Sequence, residues 1–345
     1  MKAVQIHGPG DVRVADVANP RPESETDAIV RVTSAGICGS DLHLYHGRID
    51  IEPGFVIGHE FTGVVEEVGA GVGRFQPGDR VVGAFQTACG TCWFCRRRWY
   101  HNCTSMRLFG FGMAAGNLRG AQAERVLVPN ADLALLSIPD ELKDTQALFV
   151  GDILTTAHQA VRNAAFQPGD TVAVIGCGPV GLLAQRCALL QGAGVVYALD
   201  RDAARLRIAA EHGAIPVNVD EQVPEDIILE ATDYRGADAV VECVGAEAAL
   251  NTAIQLVRRN GVVSVAGVYT DDISPFPYGD LWMKDARLVG GLCNVLAFWE
   301  EAMALVTHGR LDPSFIVSHE LPLAEAANAY RLFDRREALK VVLHP

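Results

Sequence analysis

A glycine-rich turn between an apolar strand and a helix is the strongest constraint on the fold. The strand Thr171–Ile175 runs directly into a G-x-G-x-x-G turn over Gly176–Gly181, and residues 180–191 have the apolar spacing of a helix. The next strand, 195–199, ends at Asp200. Continuous apolar strands that alternate with helices are typical of parallel sheets covered on both faces. The sequence therefore predicts an α/β protein with a doubly wound parallel sheet.

The rest of the chain predicts a second, β-rich domain. At 345 residues the chain exceeds the usual size of one core, which favours two domains. The first half carries short β-type segments at Ala28–Thr33, Gly63–Val68, Arg80–Ala84 and Arg125–Pro129. In the second half, further strands are predicted at 217, 239–241 and 262–265, and helices at 203–212, 227–231 and 248–258. The tail ends in a strand-like segment, Leu339–Leu343, and is too short for its own core. We expect domains at 1–152, completed by 292–345, and at 153–291.

Composition narrows the classes of partner. The net charge of −13 opposes binding to a nucleic-acid backbone, which requires a concentrated positive field. No apolar run approaches the roughly 20 residues that span a bilayer. Residues 1–6 have the pattern of a strand rather than of a signal peptide. We expect a cytoplasmic protein that binds a small molecule, with no nucleic-acid or membrane partner.

The glycine-rich turn also predicts a cofactor. The glycines allow backbone N–H groups and a helix N-terminus to approach a pyrophosphate, and an acidic residue about 20 positions later can bind the ribose hydroxyls. Asp200 has that position and would repel a 2′-phosphate, so NAD is favoured over NADP. Arg201 could instead attract that phosphate, although we expect it to cover the adenine. The alternative is a βαβ turn without a ligand.

Four of the nine cysteines form one cluster with the spacing C-x2-C-x2-C-x7-C. They are Cys89, Cys92, Cys95 and Cys103. This spacing predicts a closed, structural zinc site of four thiolates, whose net charge Arg96, Arg97 and Arg98 can offset. A zinc knuckle that grips nucleic acid is the alternative, and the acidic composition opposes it. The default interpretation of Cys177, Cys187, Cys243 and Cys293 is a small buried thiol.

A second site is predicted around Gly58-His59-Glu60, which interrupts an apolar run from Phe55 to Val68. Cys38 lies about twenty residues earlier, followed by Asp41. Thiolate, imidazole and carboxylate are the groups that bind zinc, and a catalytic zinc keeps one position open. A lone Cys or His is usually a packing residue, but their joint occurrence with two carboxylates favours a metal site.

These motifs together resemble the zinc-containing medium-chain alcohol dehydrogenases. The resemblance lies in Gly58-His59-Glu60-x2-Gly63-x5-Gly69-x2-Val72, in Gly36–His43, in the four-cysteine cluster and in the Gly176–Gly181 turn. It covers nearly the whole chain and looks nearest to the formaldehyde-dehydrogenase-like branch. It implies a GroES-like catalytic domain interrupted by a Rossmann domain, two zinc ions per subunit and a homo-oligomer, with a tetramer favoured over a dimer.

The resemblance also assigns the catalytic metal ligands. Cys38 and His59 match the first two ligands, and Asp152 occupies the third position, where many members have a cysteine. Glu60 matches a neighbouring carboxylate that ligates transiently or lies behind the metal. Asp41 matches the carboxylate that orients the ligating histidine.

The implied activity is hydride transfer between a primary or secondary alcohol and NAD. Ser40 matches the first proton acceptor, and His43 would pass the proton to solvent unless it is only a surface histidine. The implied cofactor contacts are Gly176, Gly178, Pro179, Val180, Gly181, Asp200, Arg201, Arg205, Val244 and Val268. Phe85, Leu108 and Phe111 are expected in an apolar substrate pocket.

Several alternatives stay open at this point. Polyol and L-threonine dehydrogenases share the same framework, so the substrate is not determined. A zinc-free quinone reductase would lack the Cys and His ligands. A non-catalytic NAD(H)-binding zinc protein would be expected to have lost a ligand or a proton-relay residue, and none is missing.

Overall fold

The computed structural model describes residues 1–270 and 276–345, and the described residues form four sheets. One unit comprises Met1–Thr155 with Asn294–Pro345, and the other comprises Thr156–Cys293. The first is rich in antiparallel strands, and the second is built on a parallel sheet. The predicted α/β class is confirmed. The division into functional domains at 1–152 with 292–345 and at 153–291 stays a prediction.

The strands and helices of the described residues are numbered in chain order. The strands are β1 Lys2–Gly8, β2 Asp11–Asp16, β3 Ala28–Ile37, β4 Phe55–Val56, β5 Glu60–Val68, β6 Arg80–Gly83, β7 Gln86–Thr87, β8 Arg107–Leu108, β9 Arg125–Val128, β10 Leu135–Ser137, β11 Thr171–Ile175, β12 Val195–Asp200, β13 Ile215–Asn218, β14 Ala237–Glu242, β15 Val257–Val265, β16 Arg287–Gly290, β17 His319–Pro322 and β18 Val341–His344. The helices are α1 Asp41–Tyr45, α2 Ala131–Ala134, α3 Asp144–Ala147, α4 Ile153–Asn163, α5 Pro179–Leu190, α6 Ala203–Glu211, α7 Pro224–Ala231, α8 Glu247–Leu256, α9 Tyr278–Met283, α10 Val295–Thr307 and α11 Ala326–Asp334. Among these helices, none combines the length and the apolar character that crossing a bilayer requires.

The larger sheet of the first unit has the strand order β10-β6-β5-β3-β18-β17, with β9 also paired to β3. Its register brings distant residues to one point, because Gly36 on β3 lies opposite Glu60 on β5 and Ile37 lies opposite Val341 on β18. A Cβ on Gly36 would lie 2.0 Å from Glu60 Oε2, so only glycine leaves room for that carboxylate. The end of β3 is therefore the point around which the chemistry of this unit is assembled.

The C-terminal segment forms part of the core of this unit. Helix α11 buries Tyr330 and Phe333 against residues from β1, β3 and α1, including Ile6, Ile37 and Leu44. The predicted strand at 339–343 is observed as β18, between β3 and β17. Each buried CH₂ group contributes roughly 0.8 kcal/mol, so this shared cluster is a main source of the stability of the unit.

The second unit has a six-stranded parallel sheet in the order β13-β12-β11-β14-β15-β16. This order confirms the Rossmann-type fold. Strands are added towards one edge of the sheet from β11 to β13, and towards the other edge from β14 to β16. The helix predicted over 248–258 is too long, because α8 ends at Leu256 and β15 begins at Val257. Lys284 explains the boundary, since its Nζ binds the carbonyl oxygens of Ile254 and Val257 at 2.9 Å and closes the end of the helix.

Candidate active site

Four potential metal ligands meet in one buried cluster of the first unit. The sulfur of Cys38, a ring nitrogen of His59 and carboxylate oxygens of Glu60 and Asp152 all lie within 4.8 Å of one another. Cys38 follows β3, His59 immediately precedes β5, and Asp152 follows a short 3-10 helix at Leu148–Gly151. His59, Glu60 and Asp152 are buried. Sulfur, nitrogen and carboxylate oxygen together fit a tetrahedral zinc ion.

Asp41 supports two of these residues at once. Its Oδ1 lies 3.1 Å from His59 Nδ1, and its Oδ2 accepts a 3.0 Å hydrogen bond from the backbone N–H of Cys38. The other ring nitrogen of His59, Nε2, lies 3.1 Å from Asp152 Oδ2. Nδ1 therefore points to Asp41, while Nε2 points into the ligand cluster, which is the arrangement of a histidine that binds a metal through Nε2.

The protonation of the cluster reflects its excess of negative charge. Burial opposes the charged form of His59, but Asp41 and Asp152 outweigh burial and raise the pKa of His59 well above its usual value. Burial raises the pKa of the Cys38 thiol, and the charges of Asp152 and Glu60 raise it further. The protein thus holds protons at this site that a metal ion would displace.

Lys340 lies beside the cluster, and the sequence reasoning missed it. Its Nζ donates to Glu60 Oε1 at 2.6 Å, and both side chains are buried. Burial opposes the charge of Lys340, but Glu60, Cys38 and Asp152 raise its pKa nonetheless. Glu60 Oε2 has no hydrogen-bond partner among the described residues, and Glu60 offers one carboxylate oxygen to the ligand cluster. One oxygen of Glu60 is thus held by Lys340, while the other is available to a metal.

Ser40 and His43 lie next to the cluster on the first turn of α1. Ser40 Oγ lies 3.2 Å from His59 Nε2. The backbone N–H of His43 donates to the carbonyl of Ser40 at 3.1 Å, and His43 is only partly buried. Ser40 Oγ is therefore close to the ligand cluster, and His43 lies three residues further along the chain, in α1.

Two of the three predicted pocket residues flank His59. The ring centroid of Phe111 lies 5.3 Å from that of His59, and the centroid of Phe85 lies 6.4 Å from it. Both contacts surround the imidazole with apolar surface, which keeps water away from the ligand cluster. Leu108 lies on β8, paired with Gln86 on β7. Its place in a substrate pocket stays a prediction.

The four clustered cysteines form a second potential metal site. Their sulfurs all lie within 4.8 Å of one another, with 3.9 Å between those of Cys89 and Cys95. Zn–S bonds of about 2.3 Å place the sulfurs of a tetrahedral site roughly 3.8 Å apart, so the spacing fits zinc. All nine cysteines are among the described residues, and each is a free thiol. Outside the two clusters, Cys177, Cys187 and Cys293 are buried and Cys243 is partly buried.

Backbone N–H groups and the hydroxyl of Thr91 contact the sulfurs of the four-cysteine cluster. The N–H groups of Cys95 and Thr104 lower the pKa of Cys92 to about 6, whereas burial raises the pKa of Cys95 to about 12. The guanidinium of Arg97 stacks 3.8 Å over the ring of Trp93, and Arg98 donates to the carbonyl of Ala297 on α10. These two arginines stabilise the loop through packing and hydrogen bonds.

The glycine-rich turn is tightly packed at two of its glycines and open at a third. Gly176 has φ +94°, and a Cβ on Gly181 would lie 1.8 Å from the carbonyl oxygen of Gly176. These two glycines are required by the turn itself. A Cβ on Gly178 would meet no protein atom within 4 Å, so a ligand approaching the helix N-terminus is a reason for glycine there. Pro179 and Val180 open α5 directly after it.

Carboxylates surround the end of β12. Asp200 Oδ2 accepts from the backbone N–H of Cys177 at 2.6 Å, which ties β12 to the glycine-rich turn. Arg201 Nε lies 3.4 Å from Asp220, and Arg205 Nε lies 3.8 Å from Asp202. Arg201, which could attract a 2′-phosphate, and Arg205 thus each lie beside an acid.

Val244 and Val268 lie on two turns that follow β14 and β15. Both side chains are about half exposed. Glu242, which the sequence reasoning missed, holds the first turn, since its Oε1 accepts from the N–H groups of Val244 at 2.6 Å and Gly245 at 2.8 Å. A Cβ on Gly267 would lie 2.6 Å from Glu242 Oε2, so the second turn packs against the same carboxylate. The sequence signal that could have identified Glu242 is a charged residue directly after the apolar strand predicted at 239–241.

Two family models match the chain. The alcohol dehydrogenase GroES-like domain matches residues 24–140, and the zinc-binding dehydrogenase model matches residues 179–308. An uncharacterized zinc-type alcohol dehydrogenase-like protein of Bacillus subtilis is 37% identical, and the alignment covers 100% of each chain.

Solved structures agree with this result. The alcohol dehydrogenase TADH from Thermus sp. ATN1 has a TM-score of 0.96 at 47% identity, with 100% of this chain and 99% of that chain covered. A structure from Sinorhizobium meliloti 1021 bound to NADP has a TM-score of 0.86 at 29% identity, covering 100% and 99%. The formaldehyde-dehydrogenase-like branch is not confirmed and stays a prediction. The chain belongs to the medium-chain zinc-dependent alcohol dehydrogenase family of oxidoreductases.

Proposed function

We propose that the protein is a zinc- and NAD-dependent dehydrogenase that transfers a hydride between a primary or secondary alcohol and the nicotinamide. The observation that carries the proposal is the buried cluster of Cys38, His59, Glu60 and Asp152, supported by Asp41. Such a donor set fits a catalytic zinc, whereas Cys89, Cys92, Cys95 and Cys103 fit a structural one. We therefore propose two zinc ions per chain.

Zinc in the first cluster would supply Lewis-acid polarisation of the substrate oxygen. The chain itself supplies the proton path. Ser40 Oγ, 3.2 Å from His59 Nε2, is placed to accept the hydroxyl proton of an alcohol. His43, three residues along α1 and partly exposed, would pass a proton to solvent through its imidazole. Phe85 and Phe111 exclude water beside His59.

NAD is proposed in preference to NADP. The support lies at the end of β12, where Asp200, Asp202 and Asp220 would repel a 2′-phosphate. Arg201 and Arg205 lie beside Asp220 and Asp202, so their positive charges are partly offset by these acids. Because the Sinorhizobium meliloti structure is bound to NADP, the activity test includes NADP as well as NAD.

Assembly into a homo-oligomer, with a tetramer favoured over a dimer, is a further part of the proposal. Its support is the exposed edge strand β16, with Leu288 and Val289 more than one third exposed. Trp282 and Met283 on α9 are also strongly exposed. Unpaired edges and apolar surface of this kind favour self-association. Light scattering coupled to size-exclusion chromatography would measure the mass.

The proposed location is the cytoplasm. Four thiols at metal-site spacing and the absence of disulfide bonds in the described residues suit a reducing compartment. Fractionation of the native host with an antibody against the chain tests this; recovery in a periplasmic or secreted fraction would contradict it.

The activity is tested by combining metal analysis with a substrate panel. The purified protein is offered formaldehyde, small alcohols, polyols and L-threonine with NAD and with NADP, and reduced nicotinamide is followed by absorbance. We expect turnover of at least one alcohol with NAD. Turnover only of polyols or of L-threonine would select those alternatives. Cofactor binding without turnover of any substrate would support a non-catalytic NAD(H)-binding protein instead.

A further inference from the structure

We propose that Gln122 and Tyr330 are positioning residues that fix two zinc ligands, Cys38 and His59, by holding Asp41. The inference rests on the proposed catalytic zinc site. It concerns side chains outside the four-residue ligand cluster, and it identifies how a helix near the C-terminus supports the metal ligands.

The three side chains form one hydrogen-bonded chain in the core of the first unit. The hydroxyl of Tyr330 donates to Gln122 Oε1 at 2.9 Å. Gln122 Nε2 donates to the carbonyl of Gly36 at 3.0 Å and to Asp41 Oδ2 at 3.4 Å. Tyr330, Gln122 and Asp41 are each completely buried. Water therefore cannot replace any of these contacts at low cost.

The geometry explains why residue 122 must carry an amide. One end of its side chain faces two acceptors, Gly36 and Asp41, and requires a donor. The other end faces the hydroxyl of Tyr330, which burial keeps protonated by raising the pKa well above its usual value. An amide supplies a donor and an acceptor at once. A carboxylate would instead place negative charge beside Asp41, and an apolar side chain would leave Asp41 Oδ2 with fewer donors.

Asp41 transmits the constraint to both ligands. Its Oδ2 accepts from the N–H of Cys38 at 3.0 Å, and its Oδ1 lies 3.1 Å from His59 Nδ1. A rotation of this carboxylate would disturb the two contacts together. Gln122 opposes the rotation by donating to the same oxygen as Cys38.

Gln122 also contacts the chain next to His59 directly. Gly58 has φ +94°, and a Cβ there would lie 2.3 Å from Gln122 Cγ. The backbone next to His59 therefore packs against the aliphatic part of the Gln122 side chain. The imidazole of His59 faces the carboxylate of Asp41, to which Gln122 donates. The two contacts restrict both the position and the direction of the ring.

The test measures the zinc affinity of the catalytic site in protein that retains the four-cysteine zinc. The variants are Gln122→Met, which keeps the shape without the hydrogen bonds, and Tyr330→Phe, which removes only the hydroxyl. Tyr45→Phe is the matched control. Tyr45 stacks on Tyr330 with a centroid distance of 5.7 Å but is not one of the hydrogen-bonded residues Tyr330, Gln122 and Asp41. Competition with a chromophoric chelator gives the affinity, and Co²⁺ substitution gives the absorption spectrum of the site.

We expect Gln122→Met to lower the zinc affinity about tenfold, the low end of the effect of outer-sphere partners, with Tyr330→Phe in the same direction. The Co²⁺ spectrum should change in both variants, and Tyr45→Phe should match the wild type. Affinities within twofold of wild type with an unchanged Co²⁺ spectrum, in a folded variant, would overturn the inference. A wild-type chain that binds zinc only at the four cysteines would overturn the proposed function and the inference with it.

Discussion

Lys340 and Glu60 form a buried ion pair with 2.6 Å between Nζ and Oε1, although 280 residues separate them in the sequence. The pair has a clear electrostatic role. A thiolate at Cys38 and carboxylates at Glu60 and Asp152 carry three negative charges, which one zinc ion and Lys340 would neutralise. Lys340 would thus balance the charge that zinc leaves on the three anionic ligands without being a ligand itself, while the buried carboxylate of Asp41 beside His59 adds a further negative charge.

Replacing Lys340 by methionine should destabilise the metal-free protein by about 3–5 kcal/mol, because Glu60 is left as an unpaired buried charge. The loss should be smaller with zinc present, since the metal then faces the same carboxylate. Urea unfolding with and without a chelator measures both values. Lys340→Arg keeps the charge and is the control; equal destabilisation by the two substitutions would contradict this role.

Zinc binding at the catalytic cluster should strengthen as the pH rises. The pKa values of His59 and Cys38 are raised, so both groups hold protons in the metal-free site, and zinc requires the neutral imidazole and the thiolate. Below both pKa values, the association constant should rise by up to about a hundredfold per pH unit. Chelator competition between pH 6 and 8 measures this slope. A flat profile, with no protons released in calorimetry, would show that the ligands are already deprotonated.

Asp200→Asn should shift the preference for NAD over NADP by about tenfold towards NADP, equivalent to about 1.4 kcal/mol. The substitution removes the charge proposed to face the ribose. It also replaces one of two oxygens that accept from the backbone N–H groups of Cys177, Arg201 and Asp202, so the ratio for the two cofactors is more informative than either value alone. Ratios of kcat/KM for the two cofactors measure the shift. Asp170→Asn removes a charge from the turn before β11, where its Oδ2 accepts from the N–H of Gln167, and is the control. An unchanged ratio in Asp200→Asn would place cofactor choice elsewhere.

Cys95→Ser should remove one zinc ion per chain and leave the catalytic cluster loaded. Without that metal the loop at 89–103 loses its cross-link, so trypsin should cut at Arg96–Arg98 faster than in the wild type. Cys187→Ser, at a buried cysteine outside both clusters, should keep both ions. Loss of both ions from Cys95→Ser would show that the two sites are not independent.

Local patterns predicted the elements and the contiguous motifs. The strand at 171–175, the glycine-rich turn and the four-cysteine spacing are continuous in sequence, and the structure has them as predicted. Asp152 was assigned by resemblance, and it lies in the cluster. Gln122, Tyr330 and Lys340 were missed because sheet register and helix packing bring them in over long sequence distances. A single lysine inside the apolar segment at 339–343 was the one local signal of the Glu60 pair.

We expect the chain to bind a catalytic zinc through Cys38, His59 and Asp152 in addition to the structural zinc. Zinc per chain, measured by inductively coupled plasma mass spectrometry on the wild type and on Asp152→Ala, tests it most directly. About two zinc ions are expected for the wild type and about one for the variant, with the remaining ion at the four cysteines. One ion or none in the wild type, or two in Asp152→Ala, would contradict it.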